Sequence, residues 1–513
     1  MQHVSYISLL ASFLASVEAG PYFSNGLYQP SAVTNCLDAK KVPYAIDGSA
    51  NWTALTTPYN LRLAYKPAVV TIPETAEQVG FSITCAAMSN LKVQPKGGGH
   101  SYASFSSGGQ DGSVIVDMEK FSSITVDQTT FVAKVGAGQR LGNVATAIYE
   151  QGKRALPHGT CPGVGIAGHA IHGGYGYASR KWGLTLDHIV GLDVVLANGT
   201  QVHATSDSNA DLFFAMRGAG DSFGIATHLY LATEAAPETV LTFAVPLSSD
   251  INDVDTRVAG FQAMQDYTLN SGKITGDITF GVYLDTYGGM SLSGWCMSCD
   301  RTTLDSEIIP GLVSGFNNPA ATTTSSNWID VVTAIAAPAP LAQPLGSAYS
   351  SHDTFLAKSV TTREALPLTT EAWRSFFETV KANQGQWERP WFSIINLYGG
   401  PGSAINKPTT SAYSDRDSLW VFQNYGYSSN SQPPFDPAGA TVVNDLQNAL
   451  PKAMPEGEFT AYLNYLDPEM SPQLAAEKYY GKETYNKLLG LKMVYDPLFT
   501  FWNPQAVGNS MAL

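Results

Sequence analysis

A thiol and two imidazoles, those of Cys161, His169 and His172, fall inside one stretch, residues 161–183, in which seven residues are glycine. Thiolates and neutral imidazoles are the chain's strongest nucleophiles at neutral pH, and both ligate metals. Glycine lets backbone pass close to a ligand and present its N–H groups, because no Cβ intervenes. The stretch lacks the period of a helix or a strand, which leaves two readings, a cofactor cradle or a flexible loop. Ile166, Ile171, Tyr175, Tyr177 and Trp182 interleave with the glycines where a solvated linker would carry Ser, Gln or Lys. That favours the cradle. A second cluster, Gly97-Gly98-Gly99-His100-Ser101-Tyr102, sets a further imidazole behind three glycines. Its amides could converge on phosphate oxygens; the competing reading is a tight hairpin with His100 as a core histidine.

The elements that must position these groups read as mixed β/α order. Strands are predicted over 68–72, 92–96, 113–117, 123–126 and 131–135, with a helix opening at 73 and running to 88 and another over 141–151. Strands over 189–197 and 201–204 flank Asn198-Gly199, a hairpin turn. No Gly-x-Gly-x-x-Gly stands at a strand end, which excludes a Rossmann nucleotide domain. From about residue 236 long strands (241–246, 278–284) alternate with helices (258–270, 371–383), as in an α+β substrate domain on a large antiparallel sheet. The connections 343–346 and 432–437 read as surface loops. Residues 461–467 read as a strand with Tyr462 and Asn464 on one face and Tyr465 on the other, ahead of a helix over 482–492.

A chain of 513 residues exceeds one core and implies two to four domains. With 44% hydrophobic and 14% charged residues it is a globular chain. A net charge of -14 excludes nucleic acid and anionic membrane as partners and suits a neutral small molecule. Residues 4–16 are apolar, too short to span a bilayer, and precede Val17-Glu18-Ala19, a small-x-small cleavage pattern. A leader over 1–19 and a secreted, extracellular protein are the expectation, although the leader carries no Lys or Arg. Asn51 and Asn198 then become glycosylation acceptors. Of the five cysteines, Cys36 and Cys85 are candidates for a disulfide contributing about 3–4 kcal/mol. Cys296 and Cys299 either pair or stay free; zinc is not expected there, because no second ligand pair follows at a suitable spacing. Cys161 is the remainder, and the one expected to do chemistry.

Lys96-Gly-Gly-Gly-His-Ser-Tyr102, the stretch from His158 to His169, Tyr462-Leu-Asn-Tyr465 and the terminal Tyr495-Asp-Pro with Phe501-Trp-Asn-Pro-Gln505 together resemble the berberine-bridge-enzyme-like flavoproteins of the vanillyl-alcohol-oxidase superfamily, and within them the fungal oligosaccharide oxidases. The resemblance covers essentially all of the mature chain. It implies an FAD-binding domain of two parts, 20–235 and a returning 456–513, around an inserted substrate domain, 236–455. It also implies FAD attached twice, through His100 and Cys161, with Gly97, Gly98, Gly99, Ser101, Val164, Gly165, Gly168 and His169 about the cofactor. It assigns Cys36 and Cys85 to the family's disulfide.

The implied reaction is oxidation of the anomeric hydroxyl of a reducing sugar to a lactone, with molecular oxygen reduced to hydrogen peroxide. Tyr465 matches the base position; Tyr102 and Tyr462 match positions lining the sugar site. Val164 matches a position where a small Val goes with oxygen access. The family's assisting Asp is matched by Asn396, which hydrogen-bonds but takes no proton; Lys358 is the substitute considered. Asn396 also sustains a second reading, an FAD-linked oxidase of a secondary metabolite. A non-catalytic flavin-fold binding protein is the third. A monomer is expected.

Overall fold

The computed structural model describes residues 30–247, 253–317, 319–407 and 410–509. The predicted leader, 1–19, lies outside the described residues.

Two hydrophobic cores divide the molecule. The first joins N-terminal residues such as Val69, Ile83, Val116 and Leu192 to C-terminal ones such as Tyr462, Leu488 and Val507. It is built on a four-stranded sheet ordered Tyr44–Ala45, Val69–Thr71, Val114–Asp117, Val93–Lys96, whose last three strands are parallel. A five-stranded antiparallel sheet stands beside it, ordered Ile124–Val126, Val132–Gly136, Ile225–Ala232, Ile189–Val195, Gln201–Ala204. One backbone and one side-chain hydrogen bond sew the tail to the first sheet: Val93 N donates to Thr500 O at 2.8 Å and Lys92 Nζ to Phe499 O at 2.7 Å. The Cys36–Cys85 disulfide pins the Pro30–Ala39 helix to the Ala76–Met88 helix.

The second core lies beneath a seven-stranded antiparallel sheet ordered Thr322–Ser326, Val240–Pro246, Met290–Cys296, Ile278–Asp285, Trp391–Leu397, Ser418–Tyr427, Phe355–Arg363. Helices Val254–Asn270, Thr370–Ala382 and Pro437–Ala453 cover one face, packing Phe261, Trp373, Phe376 and Leu446 against it. Side chains alternate between faces, so the opposite set, including Phe392, Ile394, Asn396, Gln423 and Tyr425, faces a large cavity toward the first core. The α+β architecture and the large antiparallel sheet are as the sequence implied.

Several local readings are corrected. Residues 461–467 form no strand: Tyr465 N donates to Tyr462 O at 2.9 Å in a turn, and Tyr462 N donates to Ser359 Oγ at 2.9 Å instead of to a strand partner. The glycine-rich stretch holds two short helices, Ile166–Ile171 and Ser179–Trp182. The late helix spans Pro472–Tyr495 and bends at Gly481, whose φ of +68° is outside the helical region. Cys296 and Cys299 are disulfide-bonded to each other, and Cys161 is the free cysteine among the described residues.

Candidate functional site

The cavity measures about 790 Å3 and lies between the glycine-rich segments and the open face of the seven-stranded sheet. Its floor is a backbone crossing. A Cβ built on Gly98 would lie 2.4 Å from Gly165 N, and one on Gly165 would lie 2.3 Å from Gly98 N. Only glycine at both positions permits that approach, so the two glycine clusters, far apart in sequence, form one surface. Arg140, fully buried, locks the crossing by donating to Gly98 O at 2.8 Å, to Gly163 O and to Pro344 O at 2.9 Å.

His100 stands on this floor. Its Nε2 is 2.6 Å from Tyr349 Oη, and its ring stacks on Tyr59 with centroids 3.9 Å apart. Burial, then the Arg140 guanidinium and His352, lower its pKa to about 3, so the imidazole is neutral. A proton on Nε2, donated to Tyr349, leaves the Nδ1 lone pair available as a nucleophile. Tyr349 arrives just after the 343–346 connection, which the sequence marked as a surface loop; its ring also lies under Arg140, 3.6 Å from the guanidinium carbon. Cys161 lines the same cavity. Its side chain is open to the cavity; desolvation by the surrounding walls pushes the thiol up, and a hydrogen bond with Thr160 only partly offsets that. The resting group is therefore a thiol, where the sequence reading assumed a thiolate.

The predicted cofactor contacts divide by role. Gly97, Gly98, Gly99, Ser101, Val164, Gly165, Gly168 and His169 all line the cavity. Ser101 Oγ accepts from Phe105 N at 3.1 Å and so closes its own turn. His169 Nε2 accepts from Gly159 N at 3.1 Å, which puts its proton on Nδ1; burial, then His158, lower its pKa to about 3. This bond fixes the cradle by tying the residue just before the glycine-rich stretch to the stretch's first helix. His172 bridges Gly168 O and the Asp221 carboxylate, which also accepts from Asn503 Nδ2 of the tail at 2.8 Å.

The turn at 462–465 puts Tyr462 and Tyr465 on the same side, rings edge-to-face at 4.9 Å, where a strand would have set them on opposite faces. Tyr462 Oη accepts from Gly174 N at 3.1 Å and Tyr175 N at 2.8 Å, and from Asn464 Nδ2 at 3.0 Å. Its hydroxyl therefore anchors the cradle. Tyr465 is raised well above the ordinary phenol range by burial, then by Tyr462. Tyr102 lies parallel to it, with its hydroxyl accepting from Gln423 Nε2 at 2.9 Å.

Asn396 reaches the cavity from the Trp391–Leu397 strand, two residues from Ile394 on the same face. Lys358 does not substitute for it. Register places Lys358 opposite Asn424, on the helix-covered face, and its ammonium is held by Asp467 at 3.1 Å and Glu469 at 2.9 Å.

Two family models match the chain: FAD binding domain over residues 67–205, and berberine and berberine like over residues 461–508. A chitooligosaccharide oxidase of Gibberella zeae is 36% identical, the match covering 93% of this chain and 94% of that protein. This chain belongs to the berberine-bridge-enzyme-like family of FAD-linked oxidoreductases. A xylooligosaccharide oxidase of Myceliophthora thermophila, solved with xylobiose, superposes with a TM-score of 0.85 at 33% identity, covering 93% of this chain and 99% of that one. The glucooligosaccharide oxidase of Acremonium strictum, described with a 6-S-cysteinyl, 8α-N1-histidyl FAD, superposes with a TM-score of 0.85 at 29% identity over 93% of this chain and 99% of that one. As a berberine-bridge-like oxidoreductase the chain uses FAD, and the site's chemistry fits it: glycine amides at the floor, apolar walls from Met118, Leu141 and Ile171, and a neutral imidazole and a thiol facing one cavity.

Sequence reasoning missed Tyr59, Arg140, Tyr349, Asp353, Gln423 and Tyr425. Apart from Gln423 and Tyr425, which share the Ser418–Tyr427 strand, each comes from a different part of the chain, so no local motif marks them.

Proposed function

We propose that the chain is a secreted, monomeric carbohydrate oxidase that converts the anomeric hydroxyl of a reducing mono- or oligosaccharide to a lactone. The observation that carries this reading is the placement of the Tyr465 phenol in one cavity with the two groups able to hold a flavin, beneath an aromatic sheet face suited to a pyranose. The activities of the oligosaccharide oxidases it resembles support it. The division at about 236 and 456 into flavin and substrate parts belongs to the same reading, as do glycans on Asn51 and Asn198, both exposed.

His100 and Cys161 would hold FAD covalently, the imidazole through its unprotonated nitrogen and the thiol after loss of its proton. Held there, FAD would supply the two-electron acceptor chemistry, with molecular oxygen as the final acceptor and hydrogen peroxide as its product. Tyr465 is the group that takes the hydroxyl proton of the sugar. Tyr102, parallel to it, orients the ring from the other side, and Val164 beside Cys161 keeps the oxygen approach open. Burial disfavours the Tyr465 phenolate, and Asn396 can steady it by a hydrogen bond without accepting its proton. Ile394 and Asn396, apolar and neutral, favour the second reading, oxidation of a secondary metabolite.

One experiment separates the two. The holoprotein, mixed without oxygen with cellobiose, maltose, xylobiose and chitobiose, is expected to lose its flavin absorbance with at least one sugar and regain it in air. Covalently bound flavin unbleached by every sugar overturns the carbohydrate reading.

A further inference from the structure

We propose that Tyr287 and Trp387 form an outer sugar-binding subsite that grips an oligosaccharide beyond the unit that reacts; this rests on the carbohydrate reading above. Trp387 is 63% exposed and Tyr287 50% exposed, with ring centroids 5.1 Å apart. Single exposed apolar residues are ordinary, but adjacent large aromatics held open to solvent mark a binding surface.

The pair is held in place. Tyr287 sits in the hairpin after the Ile278–Asp285 strand and Trp387 in the connection before the Trp391–Leu397 strand, and these strands are sheet neighbours with Asp285 opposite Phe392. Gly385 N donates to Thr286 O at 3.0 Å, Thr286 N to Trp391 O at 3.0 Å, and Gln384 Nε2 to Asp285 O at 3.3 Å. The platform therefore needs little ordering on binding.

The pair is also continuous with the cavity. Tyr287 lies beside Tyr427, and Tyr427 and Tyr283 line the cavity. Phe392 stacks on Tyr283 at 5.7 Å and on Tyr425 at 4.7 Å, with interplanar angles of 28° and 13°. Aromatic faces thus run from solvent to the cavity interior, with tyrosine hydroxyls on four of the six rings. A pyranose presents an apolar C–H face and a hydroxyl rim, which matches that alternation. A two-ring patch is too small for a stable protein interface, which takes about 800 Å2 per partner. Asp285, at the base of the hairpin, accepts from the amides of Tyr287 and Gly289 and so helps fix the Tyr287 side of the platform.

The test uses the flavin-loaded protein, wild type against Trp387→Ala and Tyr287→Ala, with one linkage series from mono- to pentasaccharide. Wild-type kcat/KM is expected to rise with chain length. Each variant is expected to lose about three- to ten-fold on the longest members, the scale of one aromatic contact, and nothing on the monosaccharide. Calorimetric binding of the same oligosaccharides, reduced to alditols so that they cannot react, gives a readout independent of turnover: the variants are expected to bind the long alditols more weakly by the same factor. A wild type indifferent to length, or variants impaired equally at every length, overturns the subsite. Should wild type oxidise no sugar, the carbohydrate reading fails by itself; the alditol titration still decides the subsite, and equal affinity in wild type and Trp387→Ala overturns it.

Discussion

Tyr102 and Tyr465 lie parallel, ring centroids 5.6 Å apart and planes 8° from coincidence, one at the first glycine cluster and the other more than 360 residues later in a turn of the C-terminal segment. The relationship depends on the tail's return to the first core, because the turn at 462–465 hangs its rings over amides of the glycine-rich stretch. It makes Tyr465 the phenol best placed to meet a hydroxyl lying against Tyr102. Tyr465→Phe keeps the ring and its stacking and removes only the Oη atom. The expected result is full FAD content with turnover down by about 10²- to 10⁴-fold, the usual contribution of a proton-transfer group. Steady-state peroxide formation, with the flavin spectrum as control, is the measurement; near wild-type turnover would assign the proton to another group.

His100 and Cys161 make separate predictions from separate elements. If each holds the flavin, His100→Ala and Cys161→Ser should each retain coloured, fluorescent protein after denaturation, while the double variant should release its flavin into the supernatant of an acid precipitation. Tyr349→Phe should slow attachment at His100, because it removes the 2.6 Å hydrogen bond that orients the imidazole.

The glycine cradle was legible because its residues are contiguous: the chemistry needs close backbone, and backbone proximity leaves its mark as Gly in the sequence. The strands and helices around it were legible by period. The cavity's far wall was not, since Gln423 and Tyr425 come from one strand and Asp353 from a connection, and their common face exists only after the register of the sheet is set. The 461–467 segment misled because its β-rich composition alternates like a strand, whereas Asn464 instead donates to His169 O at 3.1 Å and His172 O at 3.2 Å, holding a turn that composition does not show.

Acid should destabilise the protein through His169. Its folded pKa is about 3 against an ordinary value of 6.5, so between those values the unfolded chain binds a proton that the native protein does not. Stability then rises with pH across that window and falls as pH drops from 6.5 toward 3. Melting temperature followed from pH 7 to pH 4 should decline, and His169→Gln, which can still accept from Gly159 N, should decline less steeply. An unchanged slope in the variant would place the acid sensitivity elsewhere.

The last prediction concerns Asn396. A phenol raised by burial needs a proton acceptor or a stabilising charge before it can act as a base, and Asn396 supplies neither. Two consequences follow. The wild-type kcat/KM should climb with pH through neutrality into the alkaline range, because the reactive phenolate grows with pH and Asn396 cannot take the proton earlier. Asn396→Asp, nearly isosteric, should raise kcat/KM at pH 7 by about ten-fold or more and flatten that climb, since the new carboxylate can take the proton at neutral pH. The added charge is also buried, so a modest fall in melting temperature is expected alongside. A pH–rate profile of both proteins on the best sugar decides the matter: identical profiles would show that Asn396 does not communicate with Tyr465, and a slower variant with an unchanged slope would show that the neutral amide itself is what the substrate requires.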